Sequence, residues 1–218
     1  MKKANLLALS AAVAGVLVSS ASYAGASANV GFTSDYYFRG IFQDTSSASA
    51  GLDYEHSSGV YVGTWLGNVA DGLEIDYYLG YAGETSGFSY DISYGVFDYT
   101  DDSFDDKYSE VDLKLGYGPI SIEYAVGEYD KPITEDYTFA AITGEYEGFY
   151  LTYGSHSRDK ATDSYPDGSF TEIGYGTEVG GFDLGIAILN NDEDLDSKTA
   201  SGTGETTMIF SLGKTFDL

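Results

Sequence analysis

Carboxylates recur on alternate residues along this chain. Asp53 and Glu55, Glu74 and Asp76, and Glu110 and Asp112 are each spaced two apart, and Lys114 continues the last series. In an extended strand that spacing points both side chains the same way. Paired carboxylates so placed can hold cations or act as acid and base, and either role needs further partners. The two histidines are His56 and His156. His156 lies near Ser155 and Asp159 in sequence, but a catalytic triad is an arrangement in space, which adjacency does not make. The stretch "DEDLD" puts Asp192, Asp194 and Asp196 at positions 1, 3 and 5 of a calcium loop. Ser197 stands where that loop needs glycine and Thr203 where it needs glutamate, so the pattern fails. The expectation is therefore no catalytic residue, no metal site and no cofactor.

The elements that must position these carboxylates are strands. The chain has 28 glycines, 21 tyrosines and 12 phenylalanines, with one tryptophan and no cysteine. Aromatics favour pleated sheets, and glycine marks turns or close approach. Alternation of apolar and polar residues divides the chain into about twelve segments: 28–39, 46–56, 59–69, 72–83, 87–100, 108–117, 119–129, 136–147, 148–158, 169–179, 181–190 and 205–217. "HSSG", "GETSG", "YGP", "YEG" and "VGG" are tight turns between them. "GIFQDTS" (40–46), "TDDSFDDK", "YDKPITED", "RDKATDSYPDGS" and "NNDEDLDSKTASGTGE" are longer and mostly acidic; "NVADG" is the short exception. Short turns on one rim and long loops on the other predict a closed antiparallel transmembrane β-barrel, all-β, with its short turns periplasmic. A soluble sandwich also alternates, but it requires neither that loop rhythm nor tyrosines at the ends of apolar runs, as at Tyr81, Tyr117 and Tyr124.

Residues 1–24 have the form of a cleaved signal peptide, with Lys2 and Lys3, an apolar run from Leu6 to Val18 and a small-x-small site at Ser22-Tyr23-Ala24. The barrel then occupies 25–218. Ten basic against 35 acidic residues give a net charge of −25. That charge excludes a nucleic-acid partner, because phosphate binding needs a basic face.

Alternation also sorts the two faces. In 108–117, Val111, Leu113 and Leu115 oppose Glu110, Asp112 and Lys114; in 72–83, Leu73, Ile75, Tyr77 and Leu79 oppose Glu74 and Asp76. Charges facing lipid are costly, so the polar set must face the interior. The expected pore lining is Asp35, Arg39, Asp53, Glu55, Glu74, Asp76, Asp91, Glu110, Asp112, Lys114, Glu123, Glu145, Glu172, Glu178 and Asp183. So many carboxylates would be expensive in a dry core, which implies water in the lumen. Glycines on the same face, among them Gly31, Gly51, Gly80, Gly127 and Gly174, are expected to leave room for it. In "SDYYFRG" (34–40), Tyr36 and Phe38 are expected to face lipid, and Asp35, Tyr37 and Arg39 the interior. The resulting reading is a cell outer-membrane channel for small solutes, cation-preferring because its lumen is acidic. A plugged, non-conducting barrel is the alternative, and a barrel enzyme centred on His156 the third. The expected partners are outer-membrane lipids, the barrel assembly machinery and small solutes or cations.

"NVGFTSDYYFRGIFQ" (29–43) and "GLDYEHSSGVYVGTWLGNV" (51–69) resemble a proteobacterial family of outer-membrane porins called TorF-like. The likeness lies in the S-D-Y-x-F-R-G first strand, the D-Y-x-H-x-S-G turn and the G-T-W strand. It covers about 40 of the 218 residues. Phe42 departs from the pattern, where a small polar residue is expected, and the chain closes on Leu218 instead of phenylalanine. The resemblance implies an outer-membrane barrel.

Overall fold

The computed structural model describes residues 24–100, 104–130, 134–158, 167–195 and 204–218. The expected leader, Pro132, Pro166 and parts of the acidic loops lie outside the described residues. Twelve strands follow one another: β1 (Gly25–Phe38), β2 (Ile41–Glu55), β3 (Val60–Val69), β4 (Gly72–Thr85), β5 (Phe88–Tyr99), β6 (Tyr108–Tyr117), β7 (Ile120–Tyr129), β8 (Glu135–Tyr146), β9 (Phe149–Arg158), β10 (Gly168–Val179), β11 (Phe182–Asn191) and β12 (Glu205–Asp217). Each pairs antiparallel with its sequence neighbours, and β1 pairs β12 from Ser27↔Asp217 to Thr33↔Ser211, which closes the barrel.

Closure pairs the wall on both sides of every strand except along the end of the β1–β2 hairpin, and the period of two sends successive side chains to opposite faces of the wall. Outward lie Val62, Leu79, Ile92, Val111, Ile122, Ile142, Leu151, Ile173, Ile186 and Phe210, all well exposed. Tyr54, Tyr117, Tyr146, Phe149, Phe182 and Phe216 crowd the outer surface toward the short-turn rim. An apolar band with an aromatic edge is what a bilayer covers.

The inward face is not uniformly wet. Toward the long-loop rim a packed core joins Tyr37, Phe139, Phe170, Leu189, Leu195 and Ile209, with Ile41 and Phe42 against it. Several inward glycines do not leave open space. A Cβ at Gly154 would meet the Phe170 ring, one at Gly174 the Tyr150 ring, and one at Gly127 the Tyr137 ring. Neighbouring strands thus lend each ring a flat seat, which corrects the expectation that Gly127 and Gly174 widen the lumen. Gly154→Val should cost about 1–3 kcal/mol by overpacking under Phe170. Urea unfolding of the detergent-folded barrel checks it, and an unmoved midpoint would refute that packing.

The largest departure from the sequence reading lies between β1 and β2. Residues 40–46 do not form a long loop. Arg39 and Gly40 alone make the turn, at φ 48° and 83°, and pairing continues up to Phe38↔Ile41. Two positive φ values suit a twisted two-residue hairpin turn, a conformation glycine accepts freely and arginine only at some cost.

Candidate functional site

The β1–β2 hairpin parts from the barrel wall before it ends. β1 pairs β12 no further than Thr33↔Ser211, and β2 pairs β3 no nearer the long-loop rim than Ser49↔Gly67. Beyond those points, the ladder pairs of residues 34–48 are with each other, and one main-chain bond, from the Ala70 amide to the Gln43 carbonyl (3.2 Å), ties the ribbon to the β3–β4 turn. Side chains take over where the ladders stop. Asn68 accepts from the Ala48 amide (2.5 Å) and donates to Asp44 (2.8 Å). Ser47 Oγ donates to the Asn68 carbonyl (2.7 Å), and on the other flank the Phe210 amide donates to Ser34 Oγ (3.0 Å). A register shift between Tyr36 and Tyr37 and the positive φ of Ser46 (60°) mark where the ribbon bends.

Freed from the wall, the ribbon crosses the lumen. Tyr36 and Tyr37 are both buried. Tyr36 Oη donates to Glu74 Oε2 (2.9 Å) on β4, and Tyr37 Oη meets Thr207 Oγ1 (3.0 Å) on β12. Phe38 packs against the inward Phe97, ring centroids 5.5 Å apart. Tyr36 and Phe38 therefore do not face lipid, because the ribbon that carries them has left the wall.

Arg39, at the tip, reaches the far side. Its Nη1 and Nη2 donate to the two oxygens of Glu110 at 2.8 and 2.9 Å. Nε and Nη2 both donate to Glu123 Oε1, at 3.1 and 2.6 Å. Asp112 lies 3.5 Å from Nη2 and 3.3 Å from the ammonium of Lys114. Below the guanidinium, the Phe139 ring centroid is 4.4 Å from Cζ. Glu110, Glu123 and Asp112 surround the buried guanidinium with opposite charge. The backbone of the tip is pinned as well. His156 Nε2 lies 2.8 Å from the Arg39 carbonyl, and Asn191 Nδ2 donates to the Gly40 carbonyl at 3.1 Å. Leu195, in the segment after β11, closes over this core, set by Asp192, which accepts from the Ser169, Asp194 and Leu195 amides.

The other expected site residues divide by depth. Glu74, Asp76 and Glu172 are buried in the lumen; Tyr36 donates to Glu74 and Tyr150 to Glu172. Tyr61 donates to Asp91, and Tyr78 and Asn29 donate to Asp53. Phenol hydroxyls thus hold the lumen carboxylates in place, a pairing the alternation did not indicate. Glu55, Glu145, Glu178 and Asp183 sit on the inward register toward the short-turn rim, all at least partly exposed. Asp35 is half-buried beside Ser34 and is not brought to Arg39 by any of the bonds above. His156 is buried against Phe139, centroids 4.8 Å apart, and its Nε2 faces a backbone carbonyl. His56 lies in an exposed turn beside Ser58. "DEDLD" serves as a turn: its described part is organised by Asp192, and Asp196, Ser197 and Thr203 lie outside the described residues. Among the described residues, no group of three or more histidine, cysteine or carboxylate side chains could hold a metal ion.

A family model described as "Bacterial protein of unknown function (Gcw_chp)" matches residues 18–216. The chain belongs to this family. No curated protein sequence matches it. Among solved structures, the Gcw_chp chain resembles "KdgM porin" with a TM-score of 0.56 and 10% identity, covering 88% of this chain and 99% of that one. It also resembles a structure described as "Unveiling the Mechanism Behind the in-meso Crystallization of Membrane Proteins", with a TM-score of 0.60 and 9% identity, over 89% and 84% of the two chains. With OccK2 of Pseudomonas aeruginosa, in complex with glucuronate, the TM-score is 0.45 at 12% identity, and the match spans 62% of that chain. At these identities the likeness is one of fold.

Proposed function

We propose that this Gcw_chp barrel lies in a bacterial outer membrane, its long loops outward, and passes small solutes through a lumen gated by the β1–β2 ribbon. One observation carries the reading: residues 34–48 leave the wall, cross the lumen and seat Arg39 on the opposite side. A purely structural barrel needs no such ribbon, since side chains alone can fill a small lumen. Fold likeness to the KdgM porin and the first-strand resemblance to TorF-like porins support the same reading. The outward apolar band suits insertion among outer-membrane lipids by the barrel assembly machinery.

Cations are the preferred solutes. On the inward face the carboxylates outnumber Arg39 and Lys114; Asp53 is held by Tyr78 and Asn29, and Asp91, across from Lys114, by Tyr61. An acidic passage concentrates cations and repels anions. Planar-bilayer recording of the refolded protein under a potassium chloride gradient tests this. Openings should reverse at a potential favouring potassium, and Asp53→Asn with Asp91→Asn should move that potential toward zero. An unmoved potential removes the selectivity claim. The closed core of Tyr37, Phe139, Phe170 and Leu195 favours one second reading, a barrel that never opens; inserted protein that stays silent would establish it. Catalysis has no support from His156, which is committed to the ribbon's backbone, and the proposal is that the protein is not an enzyme.

A further inference from the structure

The cage around Arg39 belongs to the wall, while its occupant belongs to the ribbon. Glu110 and Asp112 come from β6, Glu123 from β7, and Tyr137 and Phe139 from β8, three consecutive paired strands. Tyr137 Oη donates to Glu110 Oε2 at 2.9 Å and fixes that carboxylate for its two-point contact. If the ribbon swings away, the cage stays behind. Its charge is then unbalanced, with three carboxylates and Lys114 alone against them. Asp112 Oδ1 is buried and has no hydrogen-bond partner even with Arg39 in place, so the cage holds a spare acceptor.

We propose that this cage is a binding site for guanidinium-bearing organic cations, and that Arg39 occupies it as a tethered stand-in while the ribbon is closed. The geometry selects a planar fork over a spherical ion. Glu110 takes two parallel N–H donors on one edge, Glu123 takes a second edge, and the Phe139 ring lies against the flat face. An ammonium can satisfy one such edge at a time. Entry runs from the short-turn side, because Glu123 and Lys114 are the more exposed members, at 25% and 39%, against 4% and 8% for Glu110 and Asp112. The site's place in solute passage rests on the gated-channel reading; its capacity to bind does not. A tethered guanidinium acts at an effective concentration on the order of millimolar, so a free cation competes poorly until the tether is cut.

The test is calorimetric titration of detergent-folded Arg39→Ala with methylguanidinium, against tetramethylammonium and potassium. Saturable methylguanidinium binding, at least about tenfold tighter than either control, is expected from the two-edge contact. Adding Glu110→Gln and Glu123→Gln should abolish it, and wild type should bind about 100-fold more weakly because Arg39 fills the cage. Should Arg39→Ala not fold, Arg39→Gln vacates the cage with a smaller polar group and serves in its place. No preference over the controls, binding that survives loss of both glutamates, or equal binding by wild type overturns the proposal. Binding by a barrel that is silent in bilayers would sink the channel reading alone, and conduction without binding would sink this site alone.

Discussion

Excising residues 36–42 and closing the ribbon with two glycines should raise the barrel's steady single-channel conductance roughly tenfold over wild type, since flux through a narrow pore is set by its tightest section. The excised segment carries Tyr36, Tyr37, Phe38 and Arg39, which between them reach β4, β5, β6, β7 and β12 across the lumen. The wall ladders do not depend on it, because β1 and β12 pair below Thr33 and β2 and β3 pair below Ser49. The barrel should therefore still close and insert, showing the usual shift in electrophoretic mobility between folded and heated samples. Trp65, the chain's one tryptophan, packs against Tyr36 at 5.7 Å between ring centroids. Its emission should shift to the red as water replaces that ring, an independent report that the ribbon has gone. Unchanged conductance with a shifted Trp65 would mean that wall residues such as Tyr61, Tyr78 and Tyr150 set the narrowest point. The gate assignment would then be withdrawn.

The wall was legible in the sequence because lipid outside and polar groups inside impose a period of two. β6 and β12 begin and end where alternation places them, and the other predicted spans overlap their strands. The ribbon was not legible, and the reason is physical. A two-stranded segment inside the lumen has side chains on both faces, so no lipid side remains to write an apolar stripe. Ile41, Phe42 and Gln43 look like a loop start after "RG", yet they are strand residues, and Ile41 and Phe42 pack against the core of Tyr37, Phe139 and Phe170. The signal for it lies in "SDYYFRG" itself. Three adjacent aromatics beside an arginine and a glycine fit neither lipid nor water, and they fit a tight turn buried among acids.

Arg39 also tied the sequence to the site in a way pairwise reasoning missed. Asp35 is its near neighbour and the obvious partner, but Glu110 and Glu123, 71 and 84 residues away, take the contact. Only the closed barrel brings β6 and β7 opposite β1. Alternation predicts a lining field of inward carboxylates; three of them, Glu110, Asp112 and Glu123, converge on one side chain.

That specificity sets the second large effect. Arg39→Ala should destabilise the folded barrel by about 3–5 kcal/mol, because it leaves Glu110 and Asp112 buried with reduced compensation. A surface ion pair would cost at most about 1 kcal/mol, so the size of the effect decides whether the cluster is dry. Urea unfolding in lipid vesicles measures it. Adding Glu110→Gln should recover about 1–3 kcal/mol of the loss, since the orphaned charge is then removed while Tyr137 keeps an acceptor. Arg39→Lys should rescue little, because an ammonium cannot make the two-point contact with Glu110 and also reach Glu123. A loss under about 1 kcal/mol, with no recovery in the double variant, would mean that water already reaches these carboxylates and that Phe38, Tyr36 and Tyr37 hold the ribbon without the ion cluster. Stability and gating should otherwise move together: each variant that weakens the Arg39 cage also lengthens the open time in bilayers, as both readouts follow the same ribbon leaving the same wall.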